Sequence, residues 1–332
     1  MSSSITVTDE DKWLEKMKLS LNDTDFLFTA RQDPDEAFKM WIAMLVITSA
    51  IMGLMTNFFV LLLSMFHIKG DYRHYIANLA LVDILCALLF AFMGYINLNG
   101  RYARKYIDRR VMTYSAFAFY GSFGVMICAL VPVSLSRVVA ASKPKSYDKI
   151  FAGRRSIIAC FISDMMPIAL LAVICVARHD IAKWLFFVYA FLTFAAYLVT
   201  FVSNSLVFRI VANHIRVVQS LHDRTRLLET RQVAIATLAQ AIVPLVCQVP
   251  AFLTLSSSLL LIQPIMDGKI IVITQLWLAA SPLFDALITM FVIKQYRIKT
   301  VTFWTKIFHS KCLAKNGYIP TSTSPEMWEE KL

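Results

Sequence analysis

"VMTYSAFAFYGSFGVMICALVPVSLS", Val111 to Ser136, runs for 26 residues without a charged side chain, and the residue that ends it is Arg137. A helix rising about 1.5 Å per residue needs about 20 mainly apolar residues to cross a bilayer, so this stretch can span one. It has company. The chain offers seven such runs, at 40–66, 75–98, 111–136, 156–177, 184–208, 232–262 and 270–293. Hydrophobic residues are 58% of the 332 and charged ones 17%, with a mean hydropathy of +0.61, a balance that excludes an ordinary soluble domain. Backbone groups in lipid must find their hydrogen bonds within the segment, and continuous apolar runs do so as helices, whereas barrel strands would alternate. The expected fold class is all-α, a seven-transmembrane helix bundle with a short amphipathic eighth helix.

Orientation follows from the basic residues of the loops. Lys69 and Arg73 follow the first run, Arg137, Lys143, Lys145, Lys149, Arg154 and Arg155 the third, and Arg209, Arg216, Arg224, Arg226 and Arg231 the fifth. With the bases from Lys294 to Lys315 that side carries 19 Lys and Arg, against 8 in the opposite loops. The expectation is an extracellular acidic tail (1–39), a membrane domain (40–293) and a cytoplasmic tail (294–332) of a multi-pass plasma-membrane protein. The first tail has nine acids and five bases but no apolar core of a signal peptide, so the first run is expected to act as its own insertion signal. Asn22-Asp23-Thr24 is a glycosylation acceptor on that tail.

No extracellular loop contains a cysteine, so no loop disulfide is expected. Cys312 closes "YRIKTVTFWTKIFHSKC" (296–312), in which Val301, Phe303, Trp304, Ile307 and Phe308 form one apolar face among bases. That pattern predicts an interfacial helix ending in a palmitoylated cysteine. The chain has no H-E-x-x-H, no phosphate-binding glycine loop, no G-x-S-x-G and no clustered Cys/His set. Neither catalytic residues nor a metal centre is expected, and membrane lipid, not nucleic acid, is the surrounding partner.

Ionisable residues inside a span cost up to about 2.5–3.5 kcal/mol at mid-helix and mark function by default. Three acids qualify: Asp83, Asp164 and Asp285. Asp83 lies eight residues from the cytosolic start of its run and Asp285 eight from the cytosolic end of its own, so both sit about 12 Å deep. If they face each other, both can be ionised only with a bound cation or a shared proton. Asp164, three residues before Pro167, has no assignment at this stage.

Several motifs resemble those of rhodopsin-like G-protein-coupled receptors. "NLALVD" (78–83) reproduces their N-L-A-x-x-D, and Gly53, Asn57 and Val60 resemble their first-span pattern. Arg137 with Ala140 and Pro144 matches the spacing around their third-span arginine, with Ser136 where the family has an acid. "CQVP" (247–250) is similar to C-W-x-P with Gln248 for tryptophan, and "DALIT" (285–289) stands where N-P-x-x-Y would be. Gln240, Pro244 and Pro250, with "PLFDALITMFVIKQYR" (282–297), resemble the end of nematode Str-superfamily chemoreceptors, although Ala286 breaks their D-P pair.

The resemblance implies a chemosensory receptor that binds a small molecule and activates a heterotrimeric G protein. It assigns G-protein coupling to Arg137, Pro144, Arg226 and Arg231, and a polar site, with room for a sodium ion, to Asn57, Asp83 and Asp285. With no acid beside it, Arg137 is expected to draw a partner such as Glu229 from the third cytosolic loop. Counting back about five turns from Arg137 puts Phe119, Tyr120 and Phe123 in the outer half of the third span, and similar depth on other spans brings in Tyr95, Gln248, Phe252 and Gln275. None is acidic, so the expected ligand is largely apolar and uncharged or weakly anionic, and no amine. The alternative is a ligand-gated channel or transporter, for which current would appear without G protein.

The charge asymmetry yields the first prediction. An epitope tag ahead of Asn22 stains on intact cells and one after Lys315 only on permeabilised cells; the reverse pattern means the orientation is inverted.

Overall fold

Apolar runs too long to be strands become helices throughout the computed structural model, which describes residues 36–68, 72–99, 106–151, 153–177, 179–217, 228, 231–242 and 268–316. In chain order these are α1 (Glu36–Phe66), α2 (Tyr72–Leu98), α3 (Arg109–Ser142), the short α4 (Pro144–Ile150), α5 (Arg154–Val176), α6 (His179–Val217), a helical segment α7 (231–242), α8 (Gly268–Val292) and α9 (Lys294–Asn316). Six of them, α1, α2, α3, α5, α6 and α8, are long and apolar enough to cross a membrane. The chain is a multi-pass helical membrane protein. Of the run expected at 232–262, the part beyond residue 242 lies outside the described residues, as does Asn22.

Burial does not follow apolarity among these helices. In its most apolar window α3 is 72% buried, against 28% for α1, α5 and α6. It packs on α2, α5 and α6, while α1 lies along α2 and α8. Helix α3 is therefore the axis of the bundle, and its neighbours turn apolar faces to lipid. On α6 the exposed face is Trp184, Phe187, Val188, Phe191 and Phe194. On α2 it is Leu81, Leu85, Leu88 and Tyr95, a single stripe at helical spacing.

Tyr95, expected to close a pocket, lies on that stripe and is 42% exposed, in register with the exposed leucines. Two other differences concern length. Helix α1 begins at Glu36, inside the stretch expected as tail, and α6 is 39 residues long, extending well past the run at 184–208. The eighth helix is not short either, since α9 has 23 residues. Its Phe303 ring packs 5.0 Å from Phe59 of α1, and Val301 and Trp304 remain exposed, as an interfacial face would be. Ile307, Phe308 and Cys312 have side chains outside the described residues.

Glycine sets how closely α3 and α6 approach. A Cβ at Gly124 would stand 2.1 Å from the Tyr189 hydroxyl and 2.6 Å from Thr193 Oγ1. Tyr189 is fully buried and donates to the Gly121 carbonyl, and the Thr193 hydroxyl is bonded to its own helix, so neither side chain has an easy retreat. Gly124→Ala should lower stability by about 1–3 kcal/mol, the range for overpacked interiors. Thermal unfolding of the purified protein measures it, and an unchanged midpoint would show that α6 can slide on α3.

Candidate functional site

Polar side chains inside the bundle form three tiers along α3. Lipid offers no hydrogen bonds, so each polar group in an apolar run needs a partner on its own helix or on a neighbour. The tiers lie near Tyr120, near Asp83 and near Arg137.

At the Tyr120 tier, Asn97 of α2 donates to Gln275 Oε1 of α8 at 3.1 Å, and Gln275 Nε2 donates to the Tyr120 hydroxyl at 3.1 Å. The Phe119 ring stands edge-on to Phe90 and Tyr120, with centroids 5.0 and 5.1 Å apart. Phe119, Tyr120 and Gln275 are thus brought together, with Gln275 tying three helices, and Phe123 is buried as well. Gln248 and Phe252 lie outside the described residues.

The middle tier holds the carboxylates. Asp83 and Asp285 line one small cavity with Leu79, Val82, Met126, Ile127, Ala129, Leu130 and Gln240. Its volume is about 10 Å³, about the least that admits one water molecule. Gln240 Nε2 donates to the Asp285 carbonyl at 3.0 Å and to Thr289 Oγ1 at 2.9 Å. Gln240 Oε1 and Asp285 Oδ1 are buried and have no hydrogen-bond partner among the described residues. Beside them Asn57 donates to the carbonyls of Gly53 at 3.0 Å and Pro282 at 2.7 Å, which closes α1 onto α8. Asp164, unassigned from sequence, accepts from Asn78 at 2.8 Å and so ties α5 to α2.

Helix α7 is held at this depth and below by side chains. Thr237 donates to Asn204 Oδ1 on α6 at 2.9 Å, and Asn204 reaches Ser134 on α3 at 3.3 Å. Near its start, Gln232 Oε1 accepts the Lys294 backbone N–H at 3.2 Å.

The third tier surrounds Arg137, which is 7% exposed. An arginine at the end of an apolar run ordinarily snorkels to water; this one is turned in, with its guanidinium carbon 5.1 Å from the centre of the Tyr72 ring. Tyr72 donates to Gln295 Oε1, Tyr75 donates to the Phe151 carbonyl at 2.9 Å, and Ser64 and Tyr296 share a 2.6 Å hydrogen bond. Burial pushes the Tyr296 phenol well above its ordinary value, so it stays a neutral hydroxyl. Ser136, in place of the acid, spends its hydroxyl on the Val133 carbonyl at 2.7 Å. Pro144 starts α4 in the first helical turn, and Arg231 is exposed at the start of α7. Arg226 and Glu229 lie outside the described residues.

Sequence reasoning missed Asn78, Asn97, Asn204, Tyr72 and the role of Asp164. The three asparagines carry the same signal that marked the aspartates, a polar side chain inside an apolar run. Among the described residues no group of His, Cys, Asp and Glu is arranged to hold a metal ion. No protein-family model matches the chain, and no curated protein matches it either.

The Asn78–Asp164 bond can be weighed by a double-mutant cycle with Asn78→Ala and Asp164→Ala. Interhelical hydrogen bonds in membranes average about 0.6 kcal/mol and reach about 1.7. A coupling energy in that range is expected from thermal unfolding, and strictly additive effects would show that the bond contributes nothing.

Proposed function

We propose that the chain is a seven-transmembrane G-protein-coupled chemosensory receptor, placed in the plasma membrane with its N-terminus outside. It binds a small, largely apolar molecule between the helices near Tyr120 and activates a heterotrimeric G protein at the Arg137 end. The observation that carries this reading is the position of Arg137: it ends the uncharged run of the most buried helix, and it is held inside the bundle beside the Tyr72 ring of a neighbouring helix. The motifs that resemble rhodopsin-like receptors fall on two of the three tiers, Asn57, Asp83 and Asp285 on the middle one and Arg137 on the third.

A signal crosses such a bundle as a shift between two packings. Two features support a mobile α7. Its described part is pinned by the side-chain bonds of Gln232, Thr237 and Gln240, and each is worth only about a kcal/mol in a membrane. Breaking them together costs little enough for a ligand's differential affinity to supply. Pro132, Pro167 and Pro282 lie within α3, α5 and α8, where proline introduces bends that serve as hinges.

The middle tier suits a small hard cation such as sodium, since Asp83, Asp285 and Gln240 Oε1 present only oxygen. When bound, such an ion would offset one carboxylate charge, relieve the repulsion between the pair and favour the packing in which they stay together.

Arg137→Ala should abolish nucleotide exchange on a co-expressed G protein while leaving ligand affinity within a few-fold, because Arg137 is about five helical turns from Tyr120. Full exchange activity in that variant would reduce Arg137 to a packing residue and sink the coupling assignment.

A further inference from the structure

A guanidinium removed from water needs something to hold it there. Burying an ionised group is costly unless it is paired or faced by a compensating charge distribution. Arg137 has the face of the Tyr72 ring 5.1 Å from its guanidinium carbon, within the range of about 6 Å at which the negative face of an aromatic ring attracts a cation. Two further phenols, those of Tyr75 and Tyr296, are close enough for the arginine's charge to act on them. All three tyrosines are anchored through their hydroxyls: Tyr72 to Gln295, Tyr75 to the Phe151 carbonyl and Tyr296 to Ser64. The rings therefore cannot swing away without breaking a bond to another element.

Tyr72 is the most consequential of them, because it joins three helices at once. It belongs to α2, its ring covers Arg137 of α3, and its hydroxyl donates to Gln295, the second residue of α9 after the break at Ile293. We infer that Tyr72 is a positioning residue that holds Arg137 inside the bundle, using its ring as the partner and Gln295 as the anchor. Any movement of the α8–α9 junction pulls on the Tyr72 hydroxyl, tilts the ring off the guanidinium and lets Arg137 turn toward water. The restraint stands on geometry alone; its regulatory meaning, that it sets basal G-protein activation, rests on the function proposed above.

The experiment separates the two. The rate of phenylglyoxal modification at Arg137, mapped by mass spectrometry on the purified full-length protein, reads guanidinium access without any ligand or G protein. Tyr72→Leu, which removes ring and hydroxyl, should raise that rate about tenfold, equivalent to about 1.4 kcal/mol of lost restraint. Tyr72→Phe keeps the ring and should give a smaller rise, and Gln295→Ala, which leaves Tyr72 whole, should match Tyr72→Phe. Alkylation of the buried Cys128 must stay as slow as in the parent protein, so that general loosening is not mistaken for release. If Tyr72→Leu modifies no faster than Tyr72→Phe, the ring contributes nothing and the inference is overturned. Should Tyr72→Leu fail to fold, equality of Gln295→Ala and the parent protein overturns it as well. Basal nucleotide exchange is then measured on the same variants. A rise in the order parent, Tyr72→Phe, Tyr72→Leu supports both restraint and receptor; faster modification with flat exchange keeps the restraint and removes the receptor reading.

Discussion

The cost of an unpaired polar group in lipid organises this bundle. Within an apolar run a helix satisfies its own backbone, but an asparagine, glutamine or aspartate side chain has to find its partner on its own helix or another. Asn57 reaches Pro282, Asn78 reaches Asp164, Asn97 reaches Gln275, and Gln240 reaches Asp285 and Thr289. Each of these bonds joins two helices that are far apart in sequence. Packing between apolar faces would allow many rotations and slides of one helix on another; these few directional contacts select one.

The same constraint explains why α3 sits at the centre. It presents Tyr120, Ser134, Ser136 and Arg137 along its length, and each is buried, which is tolerable only if other helices surround it. Gly124 lets Tyr189 lie directly against it and Gly121 admits Leu171 of α5, so α6 and α5 pack at close range as small residues allow in membranes. Helices α1, α5 and α6 leave more of their apolar windows exposed. The proposed function uses this layout: the axis stays, and α7, pinned by single side-chain bonds, is the element that can leave.

The aspartates show how much of the site was legible in the sequence. Equal depth from opposite ends of two runs put Asp83 and Asp285 at one level, and they do line one cavity. Depth also placed Tyr120 and Gln275 at one level, and they share a hydrogen bond. Rotation about the helix axis was not legible for Tyr95, because one polar atom on a large ring suits both an interior and a lipid face. Only the register of Leu81, Leu85 and Leu88 around it decides, and that register has meaning once the neighbours of α2 are known. Asp164 was unreadable for a related reason: its partner Asn78 lies 86 positions away, and no spacing rule connects two helices.

The sequence by itself determined that the chain is helical and embedded, since segment length and continuous apolarity act locally and need no partner to take effect. It also determined which side chains would be costly, and therefore which had to be answered. Tertiary structure alone decided who answers. Arg137 ends its run with no acid beside it, and the local expectation is an arginine that reaches for water. The fold instead brings the Tyr72 ring over it from α2 and anchors that ring on α9, an arrangement of three segments whose only common property is that they meet at one end of the bundle.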